Sequence, residues 1–137
     1  LALEQNKKVI GLETADEQFN VFDGMSLEDQ VRLLRITLKN YPELTTQFER
    51  LLQAYLEKDL HKLQIIGEEQ VEETEKVLFE RLMKRLVDDR NNKMVARLLP
   101  QLESRRNFVA VGALHLPGAK GLLNLLHRQG YTVTRME

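Results

Sequence analysis

Three places along this chain hold residue types and spacings that can do chemistry. The first is Glu13, which closes an apolar run in Gly11-Leu12-Glu13-Thr14. A carboxylate held beside low-dielectric surroundings can ligate a metal or act as a general base. It can equally be a helix-start acid that complements the dipole of the helix after it. The second is Arg90-Asn91, set between apolar helical stretches and flanked by acidic residues. Arginine presents a rigid fork to carboxylates or phosphates, and asparagine both donates and accepts. The plain alternative is a surface interruption with local salt bridges. The third is His115 in Val111-Gly112-Ala113-Leu114-His115-Leu116-Pro117-Gly118. Imidazole is a metal ligand or a proton carrier near neutral pH. Gly112 and Gly118 let the backbone turn sharply or approach a ligand closely. A histidine at such a strand end also has a purely structural reading. His61, on a charged helical surface, and His127, at a helix C-terminus, carry weaker signals.

These residues must be positioned by the elements around them. Residues 1–6 read as the tail of a helix, and residues 7–13 as a first strand. Thr14 with Asp16 and Glu17 opens a short helix reaching about Phe22, which Asp23-Gly24 breaks. Ser26 is a good N-cap for a helix whose Leu27, Val31, Leu34 and Leu38 share one face. Pro42 suits the first turn of the next helix, which carries Leu44, Phe48, Leu51, Leu52 and Tyr55. The two helices predict an antiparallel hairpin. Leu60, Leu63 and Ile66 predict another helical stretch that stops at Gly67, and acidic residues 68–75 read as a loop or a solvated segment. Helical periodicity returns at Leu78, Leu82 and Leu86 and again at Val95, Leu98, Leu99 and Leu102, with a break at residues 87–93 and a kink or early end at Pro100. Residues 108–114 predict a second strand, 119–129 a helix and 131–135 a third strand.

The expected fold is therefore α+β. It has a small sheet of about three strands, a long helical insert over residues 26–104 between strands one and two, and a β-α-β tail over 105–137. Such a thin sheet, with two strands reading as buried on both faces, predicts an absent pairing partner, because apolar strand edges are a liability. That partner is the preceding part of the same domain or a second copy. Leu1 stands inside a helical run, which also predicts a piece of a longer chain. The insert is long enough to serve as an interaction or lid element.

Composition sets the outer bounds. The chain has 137 residues, about one domain, with 42% hydrophobic and 30% charged residues. Twenty Lys and Arg stand against twenty-one Asp and Glu, which argues against a dedicated nucleic-acid binder. No apolar run approaches the length of a membrane span, and no signal peptide is visible. Cysteine is absent, which excludes disulfides, thiolate metal sites and a cysteine nucleophile. There is no Walker-type phosphate loop, no pair of histidines on one helix turn and no Gly-x-Ser-x-Gly elbow. One histidine and one glutamate fall short of the three protein ligands usual in a catalytic metal site.

The order of Gly11-Leu12-Glu13-Thr14, Ser26-Leu27-Glu28-Asp29-Gln30, Arg90-Asn91, the Gly-Ala-Leu-His-Leu-Pro-Gly run from Gly112 and Gly130-Tyr131-Thr132-Val133 resembles the C-terminal part of the TraB/GumN family, related to the Tiki metalloproteases. The family's domain has two Gly-x-x-His motifs, and the resemblance implies that Gly112 and His115 form the second. No other glycine here is followed three residues later by histidine. The resemblance further implies that Glu13, Arg90 and Asn91 cluster with the histidines. His115 would then be a metal ligand, and Glu13 a second ligand or the base that activates water. Arg90 and Asn91 would hold substrate or stabilise developing charge, with Gly112 beside the substrate. Tiki-like members are metal-dependent peptidases; others are linked to pheromone shutdown or polysaccharide export, and distant relatives include a haem-binding lipoprotein. The implied function is half of a divalent-metal hydrolase site, placed by resemblance in the cell envelope or periplasm. The alternative is a binding module that sequesters a peptide, a haem-like group or another small molecule.

Overall fold

Helix starts are set by local capping. Thr14 Oγ1 accepts from the Glu17 amide at 3.2 Å while the Glu17 carboxylate accepts from the Thr14 amide at 3.0 Å, a reciprocal box that opens α1 (Ala15–Asp23). Ser26 Oγ accepts from the Asp29 amide at 3.1 Å and opens α2 (Leu27–Lys39). Pro42 lies in the 3-10 turn Tyr41–Glu43, which leads into α3 (Leu44–Leu56). Asp59 caps α4 (Leu60–Glu68), and Gly67 lies within that helix rather than ending it. After a 3-10 turn at Glu73–Glu75, α5 (Lys76–Met83) passes through a π-helical turn, Lys84–Asp88, into α6 (Asp89–Ser104). A 3-10 turn, Ala113–His115, precedes α7 (Leu122–Arg128). This computed structural model describes residues 2–69, 72–104 and 106–136.

The described residues are helical with no strand, which corrects the α+β expectation and its β-α-β tail. Residues 7–11, 106–112 and 131–136 are irregular, and Ala113 and Leu114 belong to the 3-10 turn. An apolar, β-branched run predicts burial, yet a strand exists only where a neighbour takes up its N–H and C=O groups. Here Val9, Phe108 and Val133 are 65%, 95% and 44% exposed, and no backbone ladder joins these segments. Other local expectations change too. Residues 2–6 form turns, and residues 87–93 continue the helix through the π turn instead of breaking it. Pro100 sits inside α6 without ending it, and the last helix begins at Leu122. Part of the expected 68–75 loop, residues 70–71, lies outside the described residues.

Two small cores hold the helices. Ala54, Leu63 and Ile66 pack with Leu51 and Leu60, so α3 pairs with α4 rather than folding back along α2 as the hairpin reading expected. Met94, Val95 and Leu122 pack with Leu99 and Leu125, joining α6 to α7. Leu12 and Val111 close the second core, and this contact draws the segments bearing Glu13 and Gly112 onto α6. Each buried aliphatic side chain contributes about 1.5–3 kcal/mol. The accessible surface is 10578 Å², against ~7,400 Å² for a compact monomer of 16.0 kDa. Much apolar surface thus stays open, most visibly on α2 and α3. Among the described residues no helix is long and apolar enough to cross a membrane.

Candidate functional site

A cleft of about 450 Å³ lies between the segment bearing Glu13, residues 107–112 and one face of α6. Glu13, Arg90, Gly112 and His115 all line it, with Ile10, Met94 and Val109 supplying apolar wall. The sequence places Glu13 and His115 more than a hundred residues apart; the packing of Leu12 and Val111 onto α6 brings these groups together. A larger cleft of about 850 Å³ beside α2 and α5 contains none of them.

Glu13 and Arg90 form a bidentate pair. Arg90 Nε donates to Glu13 Oε1 at 2.6 Å and Nη2 donates to Oε2 at 2.8 Å, with the side chains 17% and 8% exposed. Nη1 donates to the Leu86 carbonyl at 2.8 Å, inside the π turn. Such turns widen the helix and re-aim backbone groups, and they recur at functional sites. Arg90 hydrogen bonds lower the Glu13 pKa below its ordinary 4.5, against burial, with the charges of Arg90 and His115 adding to the effect. The same bonds raise the arginine. The pair therefore stays fully ionised through neutral pH, and both oxygens of Glu13 are already accepting.

Asn91 lies behind the cleft wall and is fully buried. Its Nδ2 donates to the Lys120 carbonyl at 2.8 Å and the His115 carbonyl at 3.3 Å. Those two acceptors fix which end of the amide is nitrogen, so Oδ1 is the atom 2.7 Å from His115 Nδ1. An amide oxygen only accepts. Nδ1 must therefore carry the proton, and in the neutral ring Nε2 keeps its lone pair. Burial first, then the positive charge of Arg90, pushes the His115 pKa below 6.5, while Glu13 opposes them. The imidazole is thus neutral at pH 7, a base whose free nitrogen lies on the side away from Asn91. Gly112 packs against the edge of the ring: a Cβ placed on it would lie 3.6 Å from His115 Cδ2.

The glycines divide differently from expectation. Gly112 has φ −61° and ψ 141°, open to any residue, and its carbonyl accepts from the His115 amide at 2.9 Å. Gly121 is the constrained one: a Cβ there would lie 2.0 Å from the Pro117 carbonyl oxygen. Gly118 takes φ +84°, a left-handed value suited to glycine. Together they let residues 115–120 curl so that both end carbonyls reach one asparagine. The Pro117-Gly118 dipeptide is a turn signal that could have exposed this loop. Sequence reasoning also missed Arg97, which donates to the Leu12 carbonyl at 2.7 Å and to both Glu17 oxygens, at 2.7 and 2.6 Å. These bonds lower Glu17 to about 2 and tie α1 and the Glu13 segment to α6. Lys120 pairs with Asp88 of the π turn at 2.7 Å, a second tie for the same loop.

As a metal site the arrangement is incomplete. Among the described residues no group of three histidine, aspartate or glutamate side chains is placed to hold an ion. Of the two expected ligands, His115 has a free nitrogen and Glu13 is held by Arg90.

A profile of the TraB/PrgY/gumN family matches residues 1–135, essentially the whole chain, and the protein belongs to that family. No curated protein and no solved structure matches it.

Proposed function

We propose that this cleft is the histidine half of a hydrolytic site for peptide-like substrates, with Nε2 of His115 as its base or ligand nitrogen. The observation that supports the reading most is the Asn91 amide, which spends a fully buried side chain on holding one imidazole in one tautomer. A positioning residue of this kind is what a reacting histidine needs, whether it takes a proton or holds a cation. In proton transfer, Nε2 accepts from a water or hydroxyl in the cleft while Nδ1–H stays on Asn91. The resulting imidazolium sits beside the Glu13 carboxylate, which favours it, and beside Arg90, which opposes it. Arg90, already paired, acts through the local field and the cleft wall. A divalent metal in this site would need ligands from outside the described residues, joined by Glu13 only on release from Arg90.

A second reading rests on that ion pair. With both Glu13 oxygens engaged and the cleft wall partly apolar, the site also suits capture of a peptide or haem-like ligand without turnover. The two separate in one experiment. Peptide hydrolysis that is lost in His115→Ala and declines with a midpoint below pH 6.5 supports the hydrolytic site. Peptide or haemin binding with no turnover, with Zn²⁺ or Mn²⁺ present or absent, supports the capture module. Calorimetric titration with the same ions tests the ligand role: weak binding that His115→Ala abolishes is expected, and a tight site indifferent to His115 contradicts it.

A further inference from the structure

α2 carries two faces that behave oppositely. Asp29, Leu33, Ile36 and Asn40 are partly buried, whereas Leu27, Val31, Leu34 and Leu38 are 75%, 40%, 59% and 63% exposed. The exposed set recurs at spacings of four, three and four, the d-a-d-a rhythm of a helix-pairing seam. The charges on the helix are just as uneven. Asp29 pairs with Arg81, Arg32 with Glu75 and Lys39 with Glu72. Among the described residues, Glu28 and Arg35 have no ion-pair partner, and both lie along the same edge of the exposed seam.

We infer that α2 pairs with α2 of a second copy, antiparallel, about a two-fold axis that passes between Val31 and Leu34. In that register Leu27 faces Leu38 of the second copy, and Val31 faces Leu34. The edge positions then bring Glu28 against Arg35 of the second copy, and the symmetry makes this pair twice. On the other edge, Gln30 meets Thr37, also twice. The helix dipoles oppose, which favours the arrangement. A parallel pairing instead sets Arg35 beside Gln30 and leaves Glu28 without a cation. The two α2 charges without an ion-pair partner among the described residues are the two that the antiparallel seam uses. A contact of two heptads falls below the ~1,200 Å² of stable complexes, so the association is of the weak, concentration-dependent kind.

Sedimentation equilibrium of the chain, carried to roughly 0.5 mM to capture weak complexes, tests this directly. The expected result is a mass that rises from that of a monomer toward twice that value. Glu28→Arg alone and Arg35→Glu alone should each weaken the association about tenfold, because two attractive contacts become repulsive. The double exchange should restore it to within about threefold. Circular dichroism of each variant checks that the helices persist; at these exposed positions they should. A chain that stays monomeric throughout the range overturns the inference. So does a dimer indifferent to the single reversals, which would lie on another face, or a double exchange that fails to restore what the single ones lose.

Discussion

The cleft and the outer face of α2 are built on opposite terms. Around His115 the polar groups are buried and satisfied: Asn91 makes three contacts, Arg90 makes three, and Gly121 is held to a space with no room for a methyl group. On α2 the apolar side chains stand in solvent, and two charges lack partners among the described residues. Burial makes each cleft residue hard to replace, while exposure leaves α2 tolerant of change in the monomer. Substitution can test this contrast, because the two regions should respond very differently to changes of similar size.

The largest effects belong to the loop around Asn91. Asn91→Ala leaves the buried His115 carbonyl, the partly buried Lys120 carbonyl and one ring N–H without the side chain that pairs them and should destabilise the fold by about 2–4 kcal/mol. Gly121→Ala forces a methyl group into backbone atoms and should fall in the same range or beyond, whereas Gly112→Ala should be nearly neutral. Urea unfolding measures all three. Equal costs at Gly112 and Gly121 would break the picture of a loop closed on Asn91.

Next is the ion pair. Glu13→Gln leaves a half-buried guanidinium short of its carboxylate and should cost about 2–3 kcal/mol, less than for a fully enclosed pair because the arginine keeps some solvent. Arg90→Lys keeps the charge but loses the fork and should recover only part of that. At the far end of the scale, Leu34→Asn on α2 should change monomer stability by no more than about 0.5 kcal/mol.

Acid sharpens the same comparison. Glu17 is lowered from 4.5 to about 2 by Arg97 and the Thr14 amide, so the folded state binds its proton less readily than the unfolded chain. The stability this provides is complete above 4.5 and is lost as pH falls toward 2. Glu17→Gln should flatten that part of the curve. His115, lowered below 6.5, adds a loss that begins as pH falls through 6.5. Changes on α2 should alter neither limb.

How much of this the sequence disclosed depends on the range of the interaction. Thr14, Ser26 and Asp59 cap helices through contacts three residues away, and the helix starts were legible for that reason. The three strands were not, because a β-branched run reports the burial its side chains need and is silent on whether a neighbour is there to pair. Glu13, Arg90 and His115 were picked out by residue type and by family resemblance; that they share a cleft depends on Leu12 and Val111 docking on α6. Asn91 was harder. In sequence it reads as part of a polar interruption, and only a continuous helix through the π turn puts it behind the imidazole. Gly121 was missed altogether, since its constraint comes from carbonyls four and five residues back, folded over by the left-handed Gly118.

The role of His115 turns on one proton. Nitrogen-15 NMR of the His115 ring at pH 7 reads it directly, with Asn91→Ala as the control. A neutral ring protonated at Nδ1, with Nε2 unprotonated and a titration midpoint below 6.5, is the predicted result. A ring protonated at Nε2, or an imidazolium at pH 7, would contradict it.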